Sequence, residues 1–141
     1  MQTNNEQNSI VAMLQNYKHI AVVGLSPRSD RASYAVAGYL QANGYDIIPI
    51  NPVYAGQTIL HRPVYASLAD AQAAGETIEI VDVFRRSEQT PDVARAAVQA
   101  GAKLVWLQLG IANEEAAQIV HEAGLEFVED RCIKIEHARL L

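Results

Sequence analysis

The segment Gly24-Leu25-Ser26-Pro27-Arg28-Ser29-Asp30-Arg31-Ala32-Ser33 gathers the hydroxyls of Ser26, Ser29 and Ser33 and the guanidiniums of Arg28 and Arg31 into ten residues. Hydroxyls donate to oxyanions, and arginine grips phosphate oxygens with a planar fork. If a helix opens directly after this segment, its unpaired N–H groups add partial positive charge at the same spot. The competing reading is a solvated loop in which one serine caps the helix and both arginines face water. The density of donors favours the anion site.

Other reactive side chains do not assemble. His19, His61, His121 and His137 are scattered, and none pairs at metal or triad spacing, so each reads as a surface or strand-edge histidine. The single cysteine, Cys132, cannot form an intramolecular disulfide. As a nucleophile it would need a base or a depressed pKa, for which Arg131 and Lys134 are the nearest sources. A small residue lining a pocket is the favoured role. Asp82 interrupts an apolar run, where a buried charge costs several kcal/mol unless paired, so it demands an arginine or a helix N-terminus. It is either structural or positions Arg85. Trp106 reads as core, and Glu114 with Glu115 as carboxylates complementing a helix N-terminus.

The elements that must position the loop follow from periodicity. Short β-branched runs, His19 to Gly24, Tyr45 to Ile50, Ile78 to Phe84, Lys103 to Leu107 and Leu125 to Val128, alternate with amphipathic stretches, Ser33 to Ala42, Asp92 to Ala100 and Asn113 to Ala123. Gly44, Gly101 and Gly124 supply the stops, while Thr90 with Pro91 at the first helical position, and Asn113, supply starts. An N-terminal helix with Ile10, Val11 and Leu14 on one face precedes the first strand, and Arg131 to Leu141 forms a last short helix. Val53 to Gly75 is irregular, except that Ser67-Leu68-Ala69-Asp70 can open a short helix. The expected architecture is α/β: a Rossmann-like, doubly wound parallel five-stranded sheet with helices on both faces, a single domain over residues 1–141. In such a sheet the ligand lies at the carboxyl ends of the strands. Gly24 to Ser33, Asn51-Pro52, Phe84-Arg85-Arg86, Gln108 to Ile111 and Asp130-Arg131-Cys132 occupy those ends.

Whole-chain properties narrow the ligand. With 141 residues, half of them apolar and 19% charged, the chain can bury a core without disulfides or a structural metal. Its net charge of −5 and the absence of any basic cluster beyond Arg85-Arg86 exclude a nucleic-acid backbone as partner. No apolar run approaches a membrane span and the first residues are polar, which predicts a cytoplasmic protein with no membrane partner. An anion must therefore be held by local donors against the global charge. The loop is neither G-x-G-x-x-G nor a Walker loop, and the second strand ends in Ile50-Asn51-Pro52 without the acid that holds the ribose of NAD. A flavodoxin-like FMN site stays open, although no aromatic pair flanks the strand ends.

The chain also resembles a known family. Val23-Gly24-Leu25-Ser26-Pro27 with Arg28 and Ser33, Ile50-Asn51-Pro52, Val81-Asp82-Val83-Phe84-Arg85, Trp106-Leu107-Gln108-Leu109-Gly110 and Asp130-Arg131-Cys132-Ile133-Lys134 look like the small stand-alone CoA-binding proteins. That family is similar to the first domain of the succinyl-CoA synthetase α subunit. The likeness runs from about Asn16 to the C-terminus and implies coenzyme A as the small-molecule ligand. It implies phosphates at the loop of Gly24, Ser26, Pro27, Arg28, Ser29 and Ser33, with Asn51 and Pro52 flooring the nucleotide and Phe84 and Arg85 closing the opposite side. Gln108 and Gly110 would allow backbone approach, and Cys132 would border the pantetheine path. The expectation is a binding module for CoA or an acyl-CoA, without chemistry of its own. The alternative is a small enzyme acting on a CoA thioester, or a nucleotide- or flavin-dependent redox protein.

Overall fold

A computed structural model describes residues 4–141. In chain order the elements are α1 (Asn4–Asn16), β1 (His19–Val23), α2 (Ala32–Ala42), β2 (Asp46–Ile50), β3 (Thr58–Ile59), β4 (Arg62–Pro63) and α3 (Leu68–Ala73). Then come β5 (Ile80–Val83), α4 (Thr90–Gln99), β6 (Leu104–Leu107), α5 (Glu114–Glu122), β7 (Glu126–Val128) and α6 (Ile133–Leu140). Five strands form one parallel sheet in the order β2-β1-β5-β6-β7. All five expected strands and all expected helices are present, and the fold is the Rossmann-like α/β arrangement expected from the alternation.

Successive side chains along a strand point to opposite faces, and the core divides accordingly. Ile20, Val22, Ile80, Leu104 and Trp106 pack with Ile10 and Leu14 of α1, Val36 and Leu40 of α2, and Ile133 of α6. Ala21, Val23, Val81, Val83, Val105 and Leu107 pack with Leu68 of α3, Ala94 and Ala97 of α4, and Ala116 and Val120 of α5. Each fully buried Val, Leu or Ile side chain here contributes roughly 1.5–3 kcal/mol relative to exposure. The chain moves one way from β1 to β2 and the other way from β5 onward, so right-handed crossovers put α2 on one face and α4 and α5 on the other. The reversal lies between β1 and β5, which fixes the topological switch point.

Three local expectations are corrected. On α1 it is Met13, with Ile10 and Leu14, that is buried, whereas Val11 is half-exposed at the margin of the face. Thr90 lies inside α4, its hydroxyl donating to the Ser87 carbonyl at 2.7 Å, so the helix starts one residue earlier than Pro91 suggested. Asp82 does not find the partner demanded of it. It sits between Val22 and Trp106 in the sheet, fully buried, and neither carboxyl oxygen has a hydrogen-bond partner among the described residues. Burial alone pushes its carboxyl well above the usual carboxylate range.

The irregular stretch after β2 contains the β3–β4 hairpin, with Ile59 opposite Arg62 across Leu60 and His61. Both turn residues have positive φ, 53° and 65°, in a place where Asn-Gly is the usual signal. Tertiary contacts hold this turn. Gln41 of α2 donates to the Leu60 carbonyl at 2.8 Å, and Arg62 donates to the Ile47 carbonyl and pairs with Glu76 at 2.7 Å.

Candidate functional site

At the switch point the ends of β1 and β5 come so close that only glycine fits. Gly24 has φ +89°, and a Cβ there would overlap the Phe84 carbonyl oxygen and stand 3.3 Å from Arg85 Cδ. The backbone bonds Gly24 N–H to Ile50 O, 2.8 Å, and Phe84 N–H to Val23 O, 2.9 Å, extend the ladder past the strands and lock this approach. Beyond it opens a cleft of about 420 Å³ lined by Gly24, Ser26, Arg28, Arg31, Ala32, Ser33, Asn51, Tyr54 and Phe84.

The cleft ends on the N-terminus of α2, and the serines do not cap that helix. Its N-cap residue is Arg31, which makes no side-chain cap. The buried Ser33 hydroxyl instead accepts from the Ser26 N–H at 3.1 Å, and the Ser26 hydroxyl accepts from the Arg28 N–H at 3.1 Å. The serines thus shape the loop and leave the helix end uncapped, so no serine caps α2, while Arg28 and Arg31 are both exposed, as a solvated loop would also have them. Asn51 ties the loop to the next strand end. Its Nδ2 donates to the Leu25 carbonyl at 3.1 Å while its Oδ1 accepts from Val53 N–H at 3.0 Å, starting the turn at Pro52. An uncapped helix N-terminus flanked by guanidiniums offers the kinds of donor that an oxyanion uses.

Two further clefts adjoin. A slot of about 210 Å³ on the other face of the sheet is lined by Val23, Ile50, Pro52, Leu68, Val93 and Ala96, with Arg85 at its side. Phe84, Arg85, Arg86, Gly110 and Ile111 line a more open hollow of about 510 Å³ toward β6. Arg85 bridges the two, its Nε donating to Gln89 Oε1 at 3.2 Å.

The structure therefore brings Gly24, Ser26, Arg28, Ser33, Asn51 and Phe84 together in one cleft, and Pro52, Arg85 and Gly110 into its neighbours. Pro27 and Ser29 are exposed on the loop and line none of the three. Gln108 is buried, its Oε1 accepting from the Ile133 N–H at 3.1 Å, so it supports the start of α6. Gly110 N–H donates to Asp130 Oδ1 at 2.7 Å. Cys132 precedes α6, half-buried against the core. Tyr54 was not expected at the site, and Arg31 was counted among the loop's donors but not among the contacts that the family likeness implies. Arg31 was visible as a second guanidinium in the loop, whereas nothing local marks Tyr54, which reaches the cleft from the turn after β2.

Of the histidines, His19 Nδ1 lies 2.9 Å from Asp46 Oδ2, and His137 Nδ1 lies 2.8 Å from the Tyr39 hydroxyl. Burial, with a contribution from Lys18, lowers the His137 pKa. Trp106 is core, as expected, its Nε1 donating to the Arg131 carbonyl at 2.8 Å.

Comparison with known proteins decides the family. A profile described as a CoA binding domain matches residues 18–138. The chain belongs to the CoA-binding domain family. The match spans the sheet from β1 to α6 and includes all three clefts. A Bacillus subtilis (strain 168) protein, YneT, described as uncharacterized, is 42% identical over 135 residues, 96% of each chain. A solved structure from Thermus thermophilus is 35% identical, with a TM-score of 0.90 over 96% of this chain and 98% of that one. A dinucleotide-forming acetyl-coenzyme A synthetase from Ca. Korarchaeum cryptofilum matches 85% of this chain with 28% of its own at TM-score 0.69. At 21% identity that likeness shows the fold alone.

Proposed function

We propose that this protein binds coenzyme A, or an acyl-CoA, in the groove across the ends of β1, β2 and β5, as a cytoplasmic module that carries out no chemistry of its own. The observation that carries the reading is the uncapped N-terminus of α2, opening with Arg28 and Arg31 into the cleft at the switch point of a CoA-binding fold. The diphosphate takes the α2 end, where backbone amides and guanidiniums meet it. The apolar slot of Val23, Ile50, Pro52 and Leu68 suits the adenine ring, and the hollow of Phe84 and Gly110 gives the pantetheine arm a path; Cys132 lines none of these clefts. Catalysis would need a nucleophile with a base and an orienting group. His19, paired with Asp46, opens β1 at the end of the strand away from the cleft, His137 is engaged with Tyr39, and no imidazole is hydrogen-bonded to Cys132 among the described residues.

Thermal unfolding tests the ligand class. CoA at ~100 times its Kd stabilises by about 2.7 kcal/mol and raises the Tm by several degrees, while NAD, NADP and FMN at equal concentration do little. A larger shift with FMN or NAD than with CoA rejects the reading in favour of a flavin or nicotinamide protein. The purified protein neither hydrolyses acyl-CoA nor forms it from acid, ATP and CoA. Turnover that disappears in Cys132→Ala would make it an enzyme.

A further inference from the structure

The two guanidiniums of the anion loop are not equivalent. Arg28 and Arg31 stand at the two ends of one tight turn, closed by the bond from Arg31 N–H to Arg28 O at 3.1 Å, and both line the cleft. Asp30 lies within that turn, and its Oδ2 is 3.3 Å from Arg28 Nη2. Arg28 thus already faces a carboxylate, whereas Arg31 is paired with no carboxylate among the described residues. Arg31 is also the residue from which α2 springs, so its side chain starts beside the uncapped amides.

The Arg28–Asp30 pair is open to water, with the two side chains 59% and 66% exposed. Such a pair is weak and screened, too weak to resist a doubly charged phosphate group arriving at the same fork. It is nevertheless present before any ligand arrives, and Asp30 also repels an incoming anion. Asp30 therefore occupies the position of a competitor for Arg28.

Resting on CoA as the ligand, we infer that Arg31 is the standing cation of the phosphate cleft and that Asp30 is an affinity-setting residue, which holds Arg28 back until a polyanionic ligand displaces it. The chemistry selected is a ligand with enough phosphate charge to engage both guanidiniums. A singly charged anion engages Arg31 alone.

Calorimetric titration of CoA into the wild type, Arg31→Ala, Arg28→Ala, Asp30→Asn and the Arg28→Ala/Asp30→Asn double variant tests this. All three positions are exposed and none caps a helix through its side chain, so the melting temperatures without ligand stay at the wild-type value. Arg31→Ala weakens binding ~10-fold or more, the loss of a hydrogen-bonded charge on phosphate. Arg28→Ala weakens it less than ~5-fold, because its gain on binding is offset by the ion pair given up. Asp30→Asn tightens binding ~2–5-fold, and most of that gain disappears when Arg28 is already alanine. The inference is overturned if Arg28→Ala costs as much as Arg31→Ala, if Asp30→Asn brings no gain, or if its gain is as large without Arg28. A wild type that binds CoA with such a reversed or flat response removes this inference alone. A wild type that binds no CoA removes the proposed function with it.

Discussion

Gly24 carries two constraints at once, a left-handed backbone and a neighbouring strand where a side chain would be. A left-handed backbone alone costs a side chain ~1–3 kcal/mol, but here the overlap cannot relax, because the obstacle is the Phe84 carbonyl and not the end of a flexible side chain. Gly24→Ala accordingly destabilises the fold by at least ~2 kcal/mol, from backbone strain and overpacking combined. Urea unfolding of the variant checks this, and a midpoint equal to wild type would mean that β1 and β5 can separate at the switch point freely. The same variant weakens CoA, since the cleft floor is the surface displaced.

At the scale of elements, helix ends are treated in two ways. Asn113 caps α5 through Oδ1 to Ala116 N–H at 2.9 Å and donates Nδ2 to the Ser87 carbonyl at 3.0 Å. Ser67 caps α3 by accepting from Asp70 N–H at 3.1 Å. The N-cap residues of α2, α4 and α6 make no side-chain cap, and of these three helix ends that of α2 lies on the cleft of Gly24 and Ser33. Asn113→Ala therefore costs ~1–2 kcal/mol of stability, while Arg31→Ala costs almost none and reports on ligand alone. Equal losses in urea midpoint for the two variants would contradict this division. Between elements, Tyr17 after α1 donates to Glu126 Oε1 of β7 at 2.6 Å, and that hydrogen bond, with burial, pushes the Tyr17 pKa up to about 12. The folded chain then keeps a proton that the unfolded chain releases near pH 10, so the contribution of this bond is complete below pH 10 and lost as pH rises toward 12. In an ultraviolet titration of the phenols, Tyr17→Phe removes a step near pH 12; loss of a step near pH 10 instead would show an unbonded hydroxyl.

Over the whole molecule the unusual contribution to stability comes from Asp82. With both oxygens unpartnered among the described residues, the native state holds this carboxyl neutral, while the unfolded chain ionises it above about pH 4. The folded protein then binds one more proton than the unfolded, so this group makes stability fall with rising pH by about 1.4 kcal/mol per unit until the native carboxyl itself ionises. Among the ionisable groups on this face of the sheet, Glu136 pairs with Arg131 and Arg139, and His137 with Tyr39. Asp82→Asn keeps the shape and removes the proton. Urea midpoints across pH 5–8 should decline for the wild type relative to this variant, and parallel curves would place a charge-stabilising partner beside Asp82.

The alternation of β-branched runs and amphipathic stretches was legible in the chain because it is local. Strand faces repeat every two residues, helix faces every three to four, and caps such as Ser67 and Asn113 act within one turn. The donor-rich loop after β1 was legible for the same reason, and the family likeness was carried by five short motifs spread from that loop to Lys134. Tertiary structure alone decided which donors face the cleft. The turn that pairs Arg28 with Asp30, the arrival of Tyr54 from after β2 and the engagement of Gln108 with the start of α6 all depend on partners outside the local repeat or on the loop's exact path. The Leu60–His61 turn was invisible because its positive φ angles are held by Gln41 and Arg62, through contacts with α2, β2 and Glu76, and not by turn residues. Asp82 could be read as needing a partner, but whether one exists depends on what the packing of Val22, Trp106 and the covering helices leaves room for, and that is settled only when the sheet closes.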